Sequence, residues 1–173
     1  MPINIHGGGA RTNKNGLRFE QETSLSDALY YAGYVVLHDG TVSNGAGERL
    51  GMLAQKYKLY SRILEPNGIN WEEYISKRLL PDEAFYNYTN RTMYIIEKKF
   101  QHDSGSVDEK IQTCDFKKKQ YQKLFAPLRI RVEYIYVCND WFTQSMYDNV
   151  HEYIHSVGCH IFFNEIPLDF LGL

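Results

Sequence analysis

The sequence predicts an α/β (α+β) fold, a central mixed β-sheet flanked by helices, in one domain over residues 1–173. Three observations lead there. The 173 residues are 43% hydrophobic, enough for one core and too few for two domains of ordinary size. β-prone runs alternate with stretches of helical apolar spacing, in the order helix, strand, hairpin, helix, strand, helix, strand. No repeat, low-complexity tract or Pro/Ser-rich linker breaks that order.

Residues 1–16 are expected to be a flexible Gly-rich basic arm or loop, with Arg11, Asn13, Lys14 and Asn15 following three glycines. Ser24 suits a helix N-cap with Asp27 in the first turn; Leu25, Ala28, Leu29 and Ala32 supply one apolar face, and Gly33 ends it. Helical structure is expected to start earlier, near Leu17. Tyr34 to His38 is a short β-prone run closed by Asp39-Gly40. A Gly-interrupted helix is expected from about Glu48 to Tyr60, and another over Trp71 to Lys77. Leu79 to Tyr86 and Thr92 to Gln101, joined by a turn at Asn87 to Arg91, read as a β-hairpin.

Ser106-Val107-Asp108-Glu109 matches the capping box, in which serine and glutamate side chains satisfy backbone N–H groups reciprocally. Val107, Ile111, Cys114, Tyr121 and Phe125 carry that helix to about Phe125, ahead of Pro127. Ile130 to Cys138 is apolar enough for a buried central strand. Met146, Val150, Tyr153, Ile154 and Val157 trace a helix face that stops at Gly158, and His160 to Phe163 is the last strand.

No run of about 18 apolar residues exists to cross a bilayer, and Met1 to Lys14 lacks the apolar stretch of a secretory signal. A cytoplasmic (intracellular) protein without a membrane partner is expected. Cys114, Cys138 and Cys159 are odd in number and widely spaced, so they are expected as buried thiols. Fourteen tyrosines suit strands and interfaces with one apolar and one wet side.

A net charge of −2 excludes a general polyanion-binding coat. A local basic face is compatible with it. Between Lys98 and Arg131, nine Lys or Arg stand against four acids, a net of +5. Such segregation suits phosphate tracking, and Lys110, Lys117 and the arm's Arg11, Asn13, Lys14 and Asn15 are the candidate DNA contacts. A solvated helix face and a disordered terminus are the plain alternatives.

The chemistry concentrates on the hairpin. Pro81-Asp82 sits on its first strand and Glu97-Lys98-Lys99 ends its second, with fourteen residues between Asp82 and Glu97. Side chains alternate along a strand, so Glu97, Lys99 and Gln101 share a face with Met93 and Ile95. A hairpin can bring Asp82 beside Glu97, with Lys99 one pleat further, while Glu83 should point away. Two clustered carboxylates repel unless a cation joins them, and hard oxygen ligands suit Mg2+, for which Mn2+ substitutes. Such an ion polarises a phosphodiester and acidifies a bound water. An ordinary ion pair on a solvated strand end is the bland alternative.

These residues resemble the motif of the PD-(D/E)XK nucleases, the restriction-endonuclease-like superfamily, and the type II restriction endonucleases most of all. The helix from Ser106 and the strand from Ile130 follow in the family's order. The resemblance spans roughly Leu17 to Cys138 as topology and about thirty residues as motif. It implies a restriction-endonuclease-like core, Mg2+ on Asp82 and Glu97, and Lys99 assisting the attacking water. Many members add a glutamate from the first helix, and Glu20 is the candidate here. Gln101, on the same face as Glu97, could touch metal-bound water or phosphate. Double-stranded DNA is the implied partner, with a homodimer to cut both strands and a cognate DNA methyltransferase in the same system. Resolvases and structure-specific or repair nucleases share the core, and a non-catalytic DNA-binding module is a further reading.

His151-Glu152-Tyr153-Ile154-His155 is a rival from another class, since H-E-x-x-H on a helix is the signature of zinc metallopeptidases. The extended signature wants a third histidine at Ile161, and His160 is one residue early. The glycines from Gly45 to Gly51 miss the dinucleotide fingerprint by one residue.

Overall fold

The structure is a computed structural model and describes residues 16–103 and 107–173. The arm residues Arg11, Asn13, Lys14 and Asn15, and the capping serine Ser106, lie outside the described residues. Helical residues 16–22 (α1) lead into α2 (Leu25–Tyr31), where Ser24 Oγ accepts the Asp27 N–H and Gly33 takes φ +88° just beyond the end.

Seven strands form one mixed sheet: β1 (Val35–Val36), β2 (Thr41–Ser43), β3 (Arg49–Ala54), β4 (Glu83–Asn87), β5 (Thr92–Lys99), β6 (Arg131–Cys138) and β7 (His160–Phe163). Their order across the sheet is their order along the chain. From β1 to β5 successive strands run antiparallel, whereas β5 and β6, and β6 and β7, pair in parallel. Parallel neighbours need long crossovers. The first is the helical run of α3 (Val107–Lys110), a 3-10 turn and α4 (Cys114–Phe125); the second contains α5 (Asp148–Ser156).

The sheet buries both faces. On one, Met93, Ile95, Tyr134 and Tyr136 pack under Tyr121, Leu124 and Phe125 of α4, Ile154 of α5, and Leu59, Tyr60, Ile63 and Leu64. On the other, Phe85, Tyr94, Ile96, Ile135 and Val137 pack against Phe19 of α1, Leu25 and Leu29 of α2, and Leu171. Burial on both sides explains why β5 and β6 read as nearly continuous apolar runs. All three cysteines are buried free thiols, as expected.

Three expected elements differ. Residues 48–60 are not a helix: Arg49–Ala54 is β3, and a short π-helical turn begins only at Tyr60. Gly51 explains the misreading, because a Cβ there would stand 2.3 Å from Tyr86 O and 2.6 Å from the Phe85 ring. The glycine admits β4, rather than interrupting a helix. Trp71 to Lys77 holds only a 3-10 turn over Trp71–Glu73. The first hairpin strand begins at Glu83 and not Leu79, so Asp82 occupies a bend at its mouth.

Candidate active site

The β4–β5 register pairs Glu83 with Ile96 and Ala84 with Ile95; continued by one residue, it sets Asp82 opposite Glu97. Alternation then sorts the charges. Asp82, Glu97 and Lys99 share the face of Ala84, Met93 and Ile95, while Glu83 and Lys98 share the face of Phe85 and Ile96.

On the first face the Lys99 ammonium joins both carboxylates. Its Nζ lies 3.0 Å from Glu97 Oε2 and 3.9 Å from Asp82 Oδ2, and it donates to the Lys98 carbonyl at 3.1 Å. The Lys117 Nζ of α4 adds a further cation 3.6 Å from Glu97 Oε2. Asp82 accepts the Lys98 N–H at 2.8 Å through Oδ2 and pairs with the Lys56 ammonium through Oδ1. Burial pushes the Asp82 carboxyl up, but the Lys99 charge, the Lys56 hydrogen bond and the Lys98 N–H outweigh it and hold the group below the ordinary aspartate value.

The opposite face holds a buried ion pair. Lys98 Nζ lies 2.9 Å from Glu83 Oε2, with each side chain 3% exposed. Glu83 also accepts the Leu25 N–H at 3.2 Å and the Gln55 amide at 3.2 Å, and Lys98 donates to the Glu20 carbonyl at 3.0 Å. The pair thus ties α1 and α2 to the mouth of the hairpin.

A cleft of about 350 Å³ opens at this sheet end, lined by Glu20, Gln55, Lys56, Asp82, Glu83 and Lys98 among others. Glu20 therefore shares a wall with Asp82. Burial first, and the Asp82 carboxylate second, raise the Glu20 carboxyl above its ordinary value. Among the described residues, however, no three of His, Cys, Asp and Glu converge closely enough to hold a metal, so Glu20 does not complete a triad with Asp82 and Glu97.

Gln101, expected to touch metal-bound water or phosphate, keeps its side-chain Oε1 buried without a hydrogen-bond partner among the described residues. It is buried, its amide donates to Asp108 at 3.1 Å, and its backbone is bonded in both directions to the Asn139 side chain. It anchors α3 to the sheet. Lys110 is exposed at the end of α3, its carbonyl accepting the Tyr136 hydroxyl. The basic run is less free than its sequence suggests: Lys98, Lys99, Lys117, Lys118, Lys119 and Arg131 all stand within ion-pair distance of an acid.

His151 and His155 gather no third ligand among the described residues. The His151 ring instead packs on Phe163, with centroids 5.7 Å apart. The donor set around Lys99 fits a divalent ion better. The Asp82 and Glu97 carboxylates and the Lys98 carbonyl are hard oxygens 3.0–3.9 Å from the Lys99 ammonium that occupies the place between them, the oxygens a divalent ion would draw inward on displacing it.

Sequence reasoning missed Lys56 and the Glu83–Lys98 pair. The pair had a signal, since the alternation that gathers Glu97 and Lys99 must send Glu83 and Lys98 together to the other face. Lys56 had none: it meets Asp82 only through a tertiary turn. Comparison with protein-family models, curated proteins and solved structures finds no match. Among the described residues no helix is long and apolar enough to cross a membrane.

Proposed function

We propose that this protein is a Mg2+-dependent endonuclease of double-stranded DNA, a PD-(D/E)XK deoxyribonuclease with a restriction-endonuclease-like core that works most like a type II restriction enzyme. One observation carries the reading: Asp82 and Glu97 face each other across a hairpin mouth with a shared lysine, Lys99, between them. Like charges placed directly opposite destabilise a sheet unless cations join them, and here Lys99, Lys56 and Lys117 supply the cations at the place a divalent ion would take.

Asp82, Glu97 and the Lys98 carbonyl would hold the ion. When bound, Mg2+ supplies Lewis acidity at the phosphate and acidifies a water molecule. Asp82 is kept ionised by its lysine partners and its backbone N–H bond, so it is ready as a ligand at neutral pH. Lys99, displaced by the ion from its place between the two carboxylates, would orient the attacking water and stabilise charge growing on the phosphate oxygens. Gln101 acts behind this face by fixing α3, from which the chain continues to Lys117.

Cutting both strands of a duplex calls for two sites, hence a two-fold homodimer. A restriction role calls for a cognate methyltransferase and a cytoplasmic setting. Digestion of long duplex DNA with Mg2+ tests the core of the proposal. The wild type should yield discrete bands, and Asp82→Asn, Glu97→Gln and Lys99→Ala should each slow cleavage by about a hundredfold or more. Equal cleavage by wild type and all three variants would remove the site from this reading.

A further inference from the structure

Lys56 lies at the hairpin mouth but belongs to no motif. It sits just after β3 with φ +48°, a left-handed conformation uncommon for a residue with a side chain. Its N–H donates to Pro81 O at 2.9 Å, so the turn is fastened to the residue before Asp82. From there its ammonium takes Asp82 Oδ1, leaving Oδ2 to the Lys98 N–H and the Lys99 side.

Exposure separates the lysines of this sheet end. Side-chain exposure is 3% for Lys98, 15% for Lys99 and 48% for Lys56. Lys98 is committed to Glu83 and Lys99 to the two carboxylates. Of these three, Lys56 alone combines contact with Asp82 and a side chain about half exposed at the cleft.

Charge sets the condition under which it is released. Around the site the ammoniums of Lys56, Lys98, Lys99 and Lys117 stand against the carboxylates of Glu20, Asp27, Asp82, Glu83 and Glu97, so the cluster carries one net negative charge as it stands, which a divalent ion alone would turn into one net positive charge. A divalent ion on Asp82 adds two positive charges and competes with Lys56 for the carboxylate. The lysine then needs another anion at the same place, and a phosphodiester oxygen supplies it.

Resting on the nuclease reading above, we infer that Lys56 is a further catalytic residue, a phosphate-binding lysine that Asp82 holds until metal and DNA arrive together. It neutralises a non-bridging oxygen of the DNA phosphate beside the Asp82–Glu97 pair. The metal therefore binds weakly to the free protein and more tightly with duplex DNA, because each removes a charge cost from the other.

Three measurements on wild type, Lys56→Met and Lys56→Arg test it: Mn2+ binding without DNA, duplex DNA binding in the presence of Ca2+, and cleavage with Mg2+. Lys56→Met should bind Mn2+ alone at least as tightly as wild type, since its competitor is gone. It should also lose about tenfold in DNA affinity and about a hundredfold in cleavage rate. Lys56→Arg should recover most of both. Wild-type cleavage by Lys56→Met would reduce Lys56 to a counter-ion of Asp82 and overturn the inference alone. A wild type that cuts no duplex would overturn the nuclease reading, and this inference with it.

Discussion

Asp82 accepts a lysine ammonium on one carboxylate oxygen and a backbone N–H on the other, and its carboxyl is held below the ordinary aspartate value. A group in that state binds its proton more readily unfolded than folded. Its stabilising contribution is complete above the ordinary aspartate range and is lost as pH falls through the depressed folded value. Urea unfolding of wild type and Asp82→Asn should therefore differ most at neutral pH, with the gap closing below about pH 4. Glu83 and Lys98 form the more consequential pair for stability, each nearly fully buried. Glu83→Gln leaves the Lys98 charge without its partner and should cost about 3–5 kcal/mol, read as a lower denaturant midpoint. Asp82, Glu97 and Lys99 were legible from spacing because strand alternation is a local rule. Lys56 was not, since nothing within its own turn announces Asp82.

Among the elements, the parallel core strands were legible as apolar runs, and β7 matches its expected range, His160 to Phe163. The β3 region was not. Glycine and leucine in Arg49–Ala54 fit a weak helix as well as a strand, and only the neighbouring β4 decides. The deciding contact is the close approach at Gly51. Gly51→Ala should destabilise the protein by about 1–3 kcal/mol, because the added methyl meets a backbone carbonyl that cannot swing aside. Thermal melting reads the loss. Since β3 also leads to the Lys56 turn and pairs with the strand that follows Asp82, the same variant should lower cleavage more than a surface change of equal stability cost.

At the scale of the molecule, the tyrosines and the basic segment both take on a different meaning. Tyr121, Tyr134 and Tyr136 are fully buried on the face of Glu97; burial first, and the Glu97 carboxylate with it, pushes their phenols up and keeps them neutral. They wall the site from beneath. The net +5 of residues 98–131 is largely spent on internal acids, which composition could not show because the partners come from other elements. On the nuclease reading, the exposed Lys110, Lys123 and Arg129, with Lys56 and the sequence candidates Arg11 and Lys14, would make a phosphate-contact set of six. The logarithm of duplex affinity should then fall against the logarithm of salt with a slope of about −5, where all nine cations of residues 98–131, free, together with Lys56, Arg11 and Lys14 would give about −11. A filter-binding salt series separates the two.

Strand order that copies chain order has a consequence for how the protein is made. Each strand finds its partner as the next strand in sequence, so the sheet grows outward from what is already formed, without threading a late strand between two early ones. Asp82 and Glu97 belong to neighbouring strands of one hairpin, so their pairing needs no residue of β6 or β7. A nascent chain would thus carry its paired acids early and acquire the α4 lysine beside Glu97 only afterwards, so assembly of the site follows the direction of synthesis.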